Sequence, residues 1–433
     1  MRRLGALAAL CGALLCGNVG ESSGQEFVPP GAADDRAPRP SGKEPPESGF
    51  RISERGRPTL QLPFGEIQVR GRLAGTVQSP THDRGTTLPD PGWQTRRLQI
   101  EGTLFKRLDF EVSREFGEAL EPERDLFANL RMTRVLEVRA GQFKMPFGRD
   151  ALTGGANLDF VYRSLAGRLL APGRDLGVMA HGRVAGRRVS YQAGYFQKDG
   201  DNARTAQTRG GTDALAGRLV VTPLATSGGA LAGLQFGAAL VTSQLDDQLG
   251  LRGRTVFGEG VFFDRVFVNG QRLRRGLEAA WAQGPVSLTW EHMTVSDQRT
   301  GMGAAAGDLP DVTATGWYVA GTWVLTGESK DGRVDPEHSL FGDGFGALEL
   351  TARLERLAFG VEADPAGLVS SPLVTTPAAN ADRVFTLGVS WYLNRYLKIT
   401  GNAVFESVTD PERSPAPQGG GFPTAVVQFQ FVL

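Results

Sequence analysis

The chain has 433 residues, with 47 Lys and Arg against 47 Asp and Glu, so no net field points to nucleic acid and charge selectivity has to come from local placement. Beyond the first residues no run approaches the roughly 18 apolar residues of a membrane helix, which excludes a helical membrane protein but leaves a membrane barrel open. Both cysteines, Cys11 and Cys16, sit near the N-terminus, so disulfides do not hold the rest of the chain together.

The chain opens with Arg2 and Arg3, followed by a short apolar stretch from Leu4 to Cys16. This is the pattern of a secretory signal peptide, assigned to residues 1–22, with cleavage between Gly17 and Gln25. Lipid attachment at Cys16 is the alternative, but Leu15 does not supply the small residue expected before a lipidated cysteine. Residues 23–62 ("PPGAADDRAPRPSGKEPPESG" and its flanks) are rich in Pro, Gly, Ser and charge, and read as a disordered leader. The folded domain is assigned to residues 63–433.

From there helical periodicity nearly disappears and period-2 segments of about ten residues recur. Sixteen strands are expected, near 65–77, 92–104, 107–116, 123–132, 135–143, 177–185, 188–198, 213–222, 231–243, 272–283, 285–298, 312–328, 346–360, 384–394, 395–408 and 425–433. In "ALELTARLE", Leu348, Leu350, Ala352 and Leu354 alternate with Glu349, Thr351, Arg353 and Glu355. A soluble sandwich would bury the apolar row. A membrane barrel turns it to lipid and keeps the polar row in the lumen. Charge in mid-strand favours the barrel.

The connections point the same way. Those near Lys106, Arg134, Arg187, Gly284 and Asn394 are tight, whereas 78–91, 144–176, 199–212, 244–271, 299–311, 361–383 and 409–424 are long. Short turns at one end and long loops at the other are the outer-membrane pattern. One connection, Ser329 to Phe345, is long on the short side; a miscounted strand or a special turn would explain it.

The loop after "GQFKMPFGRD" carries Lys144, Arg149, Arg163, Arg168 and Arg174 against Asp150, Asp159 and Asp175. Thr153, Tyr162 and Ser164 could add hydroxyl donors. The segment 244–271 and the strand after it bring Arg252, Arg254, Arg265, Arg272, Arg274 and Arg275. Rings of Arg and Lys make anion pores, and the planar guanidinium matches two phosphate oxygens at once. The bland readings stand beside these. Arg163 and Arg174 would pair with Asp159 and Asp175 to pin the loop, and the second group would be a solvated basic rim. Lumen-facing Arg70, Arg72, Arg97, Arg139, Arg218 and Arg353 alternate with Glu66, Glu101, Glu111, Glu137, Glu349 and Glu355, which suits cross-strand bracing.

Enzyme signals are poor. His82, His181, His292 and His338 are scattered, no Cys/His cluster exists, and "GMGAAAG" lacks the strand–turn–helix setting of a nucleotide loop. No cofactor is expected.

"GQFKMPFGRDALTGGANLDFVYRSLAGRLLAPGRDLGVMAHG" resembles the third-loop region of the phosphate-selective porins O and P. "GWYVAGTWVLTGESK" and "LGVSWYLNRYLKITGNAVF" resemble two later segments of that family. The resemblance runs from about Gly65 to Leu433. It implies an all-β, transmembrane, antiparallel barrel of sixteen strands with an inward-folded third loop. It also implies a homotrimer in the outer-membrane lipid of a diderm bacterium, passing small anions such as phosphate by diffusion. Lys144, Arg149, Arg163, Ser164, Arg168 and Arg174 would then line the constriction, and Arg252, Arg254, Arg265, Arg272 and Arg274 would form a basic ladder toward it. A general or organic-solute porin and a non-conducting structural or adhesive barrel are the alternatives.

Overall fold

The computed structural model describes residues 48–433 except 54–55, 80–91, 118–122, 187, 202–210, 228, 258–259, 331, 362–378 and 412–420. The expected signal peptide and the leader up to residue 47 lie outside the described residues, as do large parts of the loops 78–91, 361–383 and 409–424. A hairpin comes first, β1 (Gly49–Ile52) and β2 (Pro58–Leu62). Nine strands follow: β3 (Gly65–Gln78), β4 (Gly92–Leu104), β5 (Leu108–Glu115), β6 (Glu123–Arg131), β7 (Glu137–Lys144), β8 (Arg174–Val184), β9 (Val189–Lys198), β10 (Thr212–Val221) and β11 (Gln235–Leu249). A miniature hairpin, β12 (Gly253–Arg254) and β13 (Val261–Phe263), sits in the next loop. The last seven are β14 (Phe267–Gln283), β15 (Val286–Arg299), β16 (Leu309–Val324), β17 (Ala347–Val361), β18 (Asn380–Tyr392), β19 (Leu397–Val408) and β20 (Gly421–Val432).

Each of the sixteen strands β3–β11 and β14–β20 pairs antiparallel with its neighbour, and β20 closes on β3 from Val426↔Gln78 to Val432↔Arg72. Closure matters because an open edge in lipid would leave backbone donors and acceptors unmet, at several kcal/mol each. Leu433 continues the seam by exchanging backbone hydrogen bonds with Gly71. Below it, β2 takes over the edge of β3, with Thr59↔Gln68 and Leu62↔Gly65. Paired structure therefore begins at Gly49, inside the stretch assigned to the leader. Its Arg- and Pro-rich composition hid the short alternation of "FRI" and "TLQL".

The two faces of the wall are reversed relative to a soluble protein. On β17, Glu349 and Glu355 are 0% and 1% exposed, while Leu350 and Leu354 are 40% and 49% exposed. On β18, Asp382, Thr386 and Ser390 are buried, and Phe385, Leu387 and Val389 are exposed. Polar rows thus face the interior and apolar rows face outward, the solution for a membrane barrel.

Inside, the charges brace the wall. Arg70 pairs with Glu101 at 3.2 Å, Arg97 with Glu115 at 3.3 Å, Arg218 with Glu278 at 2.5 Å and Arg353 with Glu355 at 2.9 Å. Burying such charges is tolerable only because each has a partner. The long connection between β16 and β17 is a special turn rather than a miscounted strand. It carries Lys330 to Asp159 at 2.6 Å and to Glu349 at 2.5 Å.

Candidate functional site

The connection from β7 to β8, residues 145–173, contains a helical turn at Arg149–Leu152 and a short helix at Leu165–Leu169. Gly148 starts it in the left-handed region, φ 72°, where a side chain would also strike Met293. A segment with so little regular structure must place its backbone polar groups elsewhere. Here the strand side chains take them. Arg149 N and Asp150 N both donate to the Glu291 carboxylate, the latter at 2.8 Å. Val161 N donates to Asn402 Oδ1 at 2.8 Å and Leu165 N to Glu355 Oε2 at 2.6 Å. In the other direction Lys398 Nζ donates to Leu158 O at 2.7 Å, Arg353 to Tyr162 O at 3.2 Å and Arg274 Nε to Leu170 O at 3.1 Å. The Tyr162 hydroxyl bonds to that of Thr386.

Beside this segment lies a cavity of about 220 Å³ lined by Lys144, Arg163, Arg168 and Arg174 together with Arg124. Among the described residues Asp201 is the one acid in its lining, and Met145, Phe147, Ala151 and Leu152 supply the apolar part. Lys144 Nζ donates to the carbonyls of Ala151 and Thr153, and Arg163 to those of Asp150 and Thr153. Arg168 donates to the carbonyls of Thr255, at 2.8 Å, and Val256. A carbonyl takes a hydrogen bond without cancelling a full charge, so the guanidinium of Arg163 keeps its field. Arg174 is different: it forms a two-pronged pair with Asp125, at 2.8 and 3.1 Å. Burial, the largest influence, lowers the pKa of Arg163 and Arg168 from the ordinary arginine value; Asp150 raises Arg163 part of the way back, and Glu355 does so for Arg168. Arginine remains charged regardless.

The remaining residues expected at the site lie elsewhere. Arg149 is buried and donates to Gln235 Oε1 at 3.2 Å. The Ser164 hydroxyl accepts from Gly167 N at 3.0 Å, capping the short helix, and donates to Asp150 at 3.0 Å. Arg252 pairs with Asp264 at 2.7 Å on the loop. Arg254 lies in β12, and Arg265 just after β13 donates its backbone N–H to Asp264. Arg272 and Arg274 are fully buried. Arg272 is gripped by Asp199 and Asp297, each at 2.6 Å, and Arg274 approaches Asp199 at 3.7 Å. These two arginines brace β14 rather than line the cavity. Arg275 lies on the exposed row of β14. Neither expected loop pair forms as drawn from the sequence: Arg174 takes Asp125, and Asp159 takes Lys330.

Sequence reasoning missed Arg124. The register of β5 and β6 shifts between Val112 and Arg114, so Arg124 and Asp125 together oppose Ser113. Such a bulge re-aims side chains. It lets Arg124 line the cavity while Asp125 holds Arg174. The adjacent charged residues in "ERDLF" were a visible but unspecific signal.

The family model for phosphate-selective porins O and P matches residues 67–433. Porin O of Pseudomonas aeruginosa is 28% identical over 168 residues, which is 36% of this chain and 34% of that protein. The chain therefore spans about a third of that relative's length. Among solved structures, an anion-selective porin from Comamonas acidovorans aligns over 85% of this chain and all of its own, with TM-score 0.53 and 14% identity. The trimer form of OmpT from Vibrio cholerae aligns over 86% and 100%, with TM-score 0.54 and 11% identity. At these identities the structural matches establish a shared porin barrel.

Proposed function

The chain belongs to the phosphate-selective porin O and P family of outer-membrane channels, and on that premise we propose that small anions, phosphate among them, pass beside the cations around residues 145–173. The observation that carries this is the meeting of Lys144, Arg163, Arg168, Arg174 and Arg124 on one cavity, with Asp201 the single acid among the described residues that line it. Fixed cations in a narrow, partly dehydrated space lower the barrier for anions and raise it for cations. The planar guanidinium suits a tetrahedral oxyanion, and of the four arginines here Arg174 is held by a carboxylate. Because the cations sit side by side, an ion can be handed between them, and each contact stays weak enough to release it. Residues 145–173 act as the constriction, held by Glu291, Glu355 and Asn402. The channel works as a homotrimer, a state in keeping with the trimer form of OmpT, and reaches the outer membrane through a cleaved signal at residues 1–22.

Recording from single channels in planar bilayers tests the reading. Chloride should permeate well ahead of potassium, and millimolar phosphate should reduce the chloride current. Absence of conductance would end the channel reading, and a reversal potential at zero in a salt gradient would end the anion reading.

A further inference from the structure

We propose that a row of outward-facing side chains centred on Arg356 and Arg383 is a binding site for the phosphorylated headgroup of an outer-membrane lipid. The two arginines are direct register partners on β17 and β18. Trp317 on β16 lies opposite Arg356, His292 on β15 lies opposite Trp317, and Ser407 on β19 lies opposite Arg383. The row therefore crosses five consecutive strands at one register.

Three observations point to an anion there. First, the row marks a boundary on the outer wall. On its short-turn side the partners are Leu354↔Phe385, Val319↔Leu354 and Trp290↔Val319, all apolar. On its long-loop side β15 and β16 bring Thr294↔Thr315 and Ser296↔Thr313, with Ser296 bonded to Asp311, while β17 and β18 bring the small pair Ala358↔Ala381. A change from apolar to hydroxyl-bearing side chains is where the hydrocarbon ends and lipid headgroups begin. Second, like charges directly opposite on a sheet face repel, since such side chains stand only about 5 Å apart at Cβ. Arg356 and Arg383 have no carboxylate within ion-pair distance among the described residues. Third, Arg356 Nε is buried without a hydrogen-bond partner. A phosphate between the two guanidiniums would meet the unmatched donors and turn repulsion into shared attraction.

The apolar row favours lipid over free phosphate. Leu354, Phe385, Leu387 and Val389 are exposed below the arginines, in line to hold acyl chains while the headgroup is gripped above. Trp317 adds an aromatic ring at the depth where such rings anchor barrels. A second copy of the chain fits less well, because it would need an acid aligned with the pair to neutralise it.

Native mass spectrometry of the refolded full chain in detergent tests this. The protein is titrated with bisphosphorylated lipid A and with the same lipid after its phosphates are removed. The wild type should bind the phosphorylated form at least tenfold more tightly. The R356Q/R383Q double variant should lose that preference, and R356K/R383K should keep most of it. Equal affinity of the wild type for both lipids would overturn the proposal without needing any variant. Displacement of the lipid by an equal concentration of inorganic phosphate would overturn the choice of lipid. Unchanged lipid binding with loss of oligomers in the double variant would assign the row to contact between copies. Channel conductance in the same preparations separates this test from that of the channel reading, since the row lies on the outside of the barrel.

Discussion

Replacing Arg163 with Ala removes one charge from the cavity and two hydrogen bonds, to the carbonyls of Asp150 and Thr153. The size of the electrostatic loss can be bracketed. A unit charge about 4 Å from a permeating anion contributes about 1 kcal/mol in bulk water and about 4 kcal/mol at the effective dielectric of about 20 found near protein surfaces. At about 1.4 kcal/mol per tenfold, that range is about fivefold to about a thousandfold in anion affinity. Lys144, Arg168, Arg174 and Arg124 remain, so the outcome belongs toward the lower end. R163A should weaken inhibition of chloride current by phosphate at least fivefold and shift the reversal potential in a salt gradient toward zero. R149A is the comparison: that guanidinium donates to Gln235 outside the cavity, and the change should be under twofold. Arg163→Lys separates charge from loop anchoring. If charge governs, Lys retains most of the phosphate block; if the two carbonyl bonds govern, Lys fails nearly as badly as Ala. Phosphate block within twofold of wild type in R163A would refute the assignment of Arg163 to the ion path.

Arg272→Met leaves the carboxylates of Asp199 and Asp297 buried without their shared partner. Breaking such a pair typically costs about 3–5 kcal/mol, so the urea midpoint of barrel unfolding should fall clearly, and an unchanged midpoint would contradict the bracing role. Glu291→Gln keeps the size of the side chain but removes one of the two acceptors used by Arg149 N and Asp150 N. An unmet buried donor costs about 1–3 kcal/mol, and the expected result is greater open-channel current noise as the segment loosens. Lys330→Met frees Asp159 from the turn between β16 and β17 and should speed protease cleavage within residues 145–173, whereas Lys330→Arg should not.

The wall of the barrel was legible because its signal is local. In "ALELTARLE" every second residue chooses between lipid and lumen, and neighbours alone disclose the strand. The strand ends were less legible where the environment stops being two-sided. β11 runs on to Leu249 through "QLDDQL", and β14 begins at Phe267 rather than near 272. Past the membrane both faces of a strand meet water or loops, so alternation fades while the backbone ladder continues, here from Leu249↔Phe267 onward. The turn around Lys330 was visible as an irregularity, but its cause lies in a partner 171 residues away.

The site was legible as a set of cations but not as a set of pairs, and the reason is distance along the chain. Counting charges in the loop set five bases against Asp150, Asp159 and Asp175, as though near neighbours cancel. In the folded chain Asp159 is used by Lys330, and Asp175 accepts from the backbone of Leu176 and Gly200. Asp150 accepts from Ser164. The acid that meets Arg174 comes from β6, which also contributes Arg124. Conversely, Arg272, expected as one of five residues in a basic ladder, is neutralised by Asp199 and Asp297 from strand ends that the sequence keeps far apart. What separates an arginine able to meet an ion from one that braces the wall is therefore the identity of its acceptor. Carbonyls leave the charge of Arg163 in force; carboxylates spend that of Arg272. A sequence shows how many cations a channel has, but only the fold decides how many it leaves unspent.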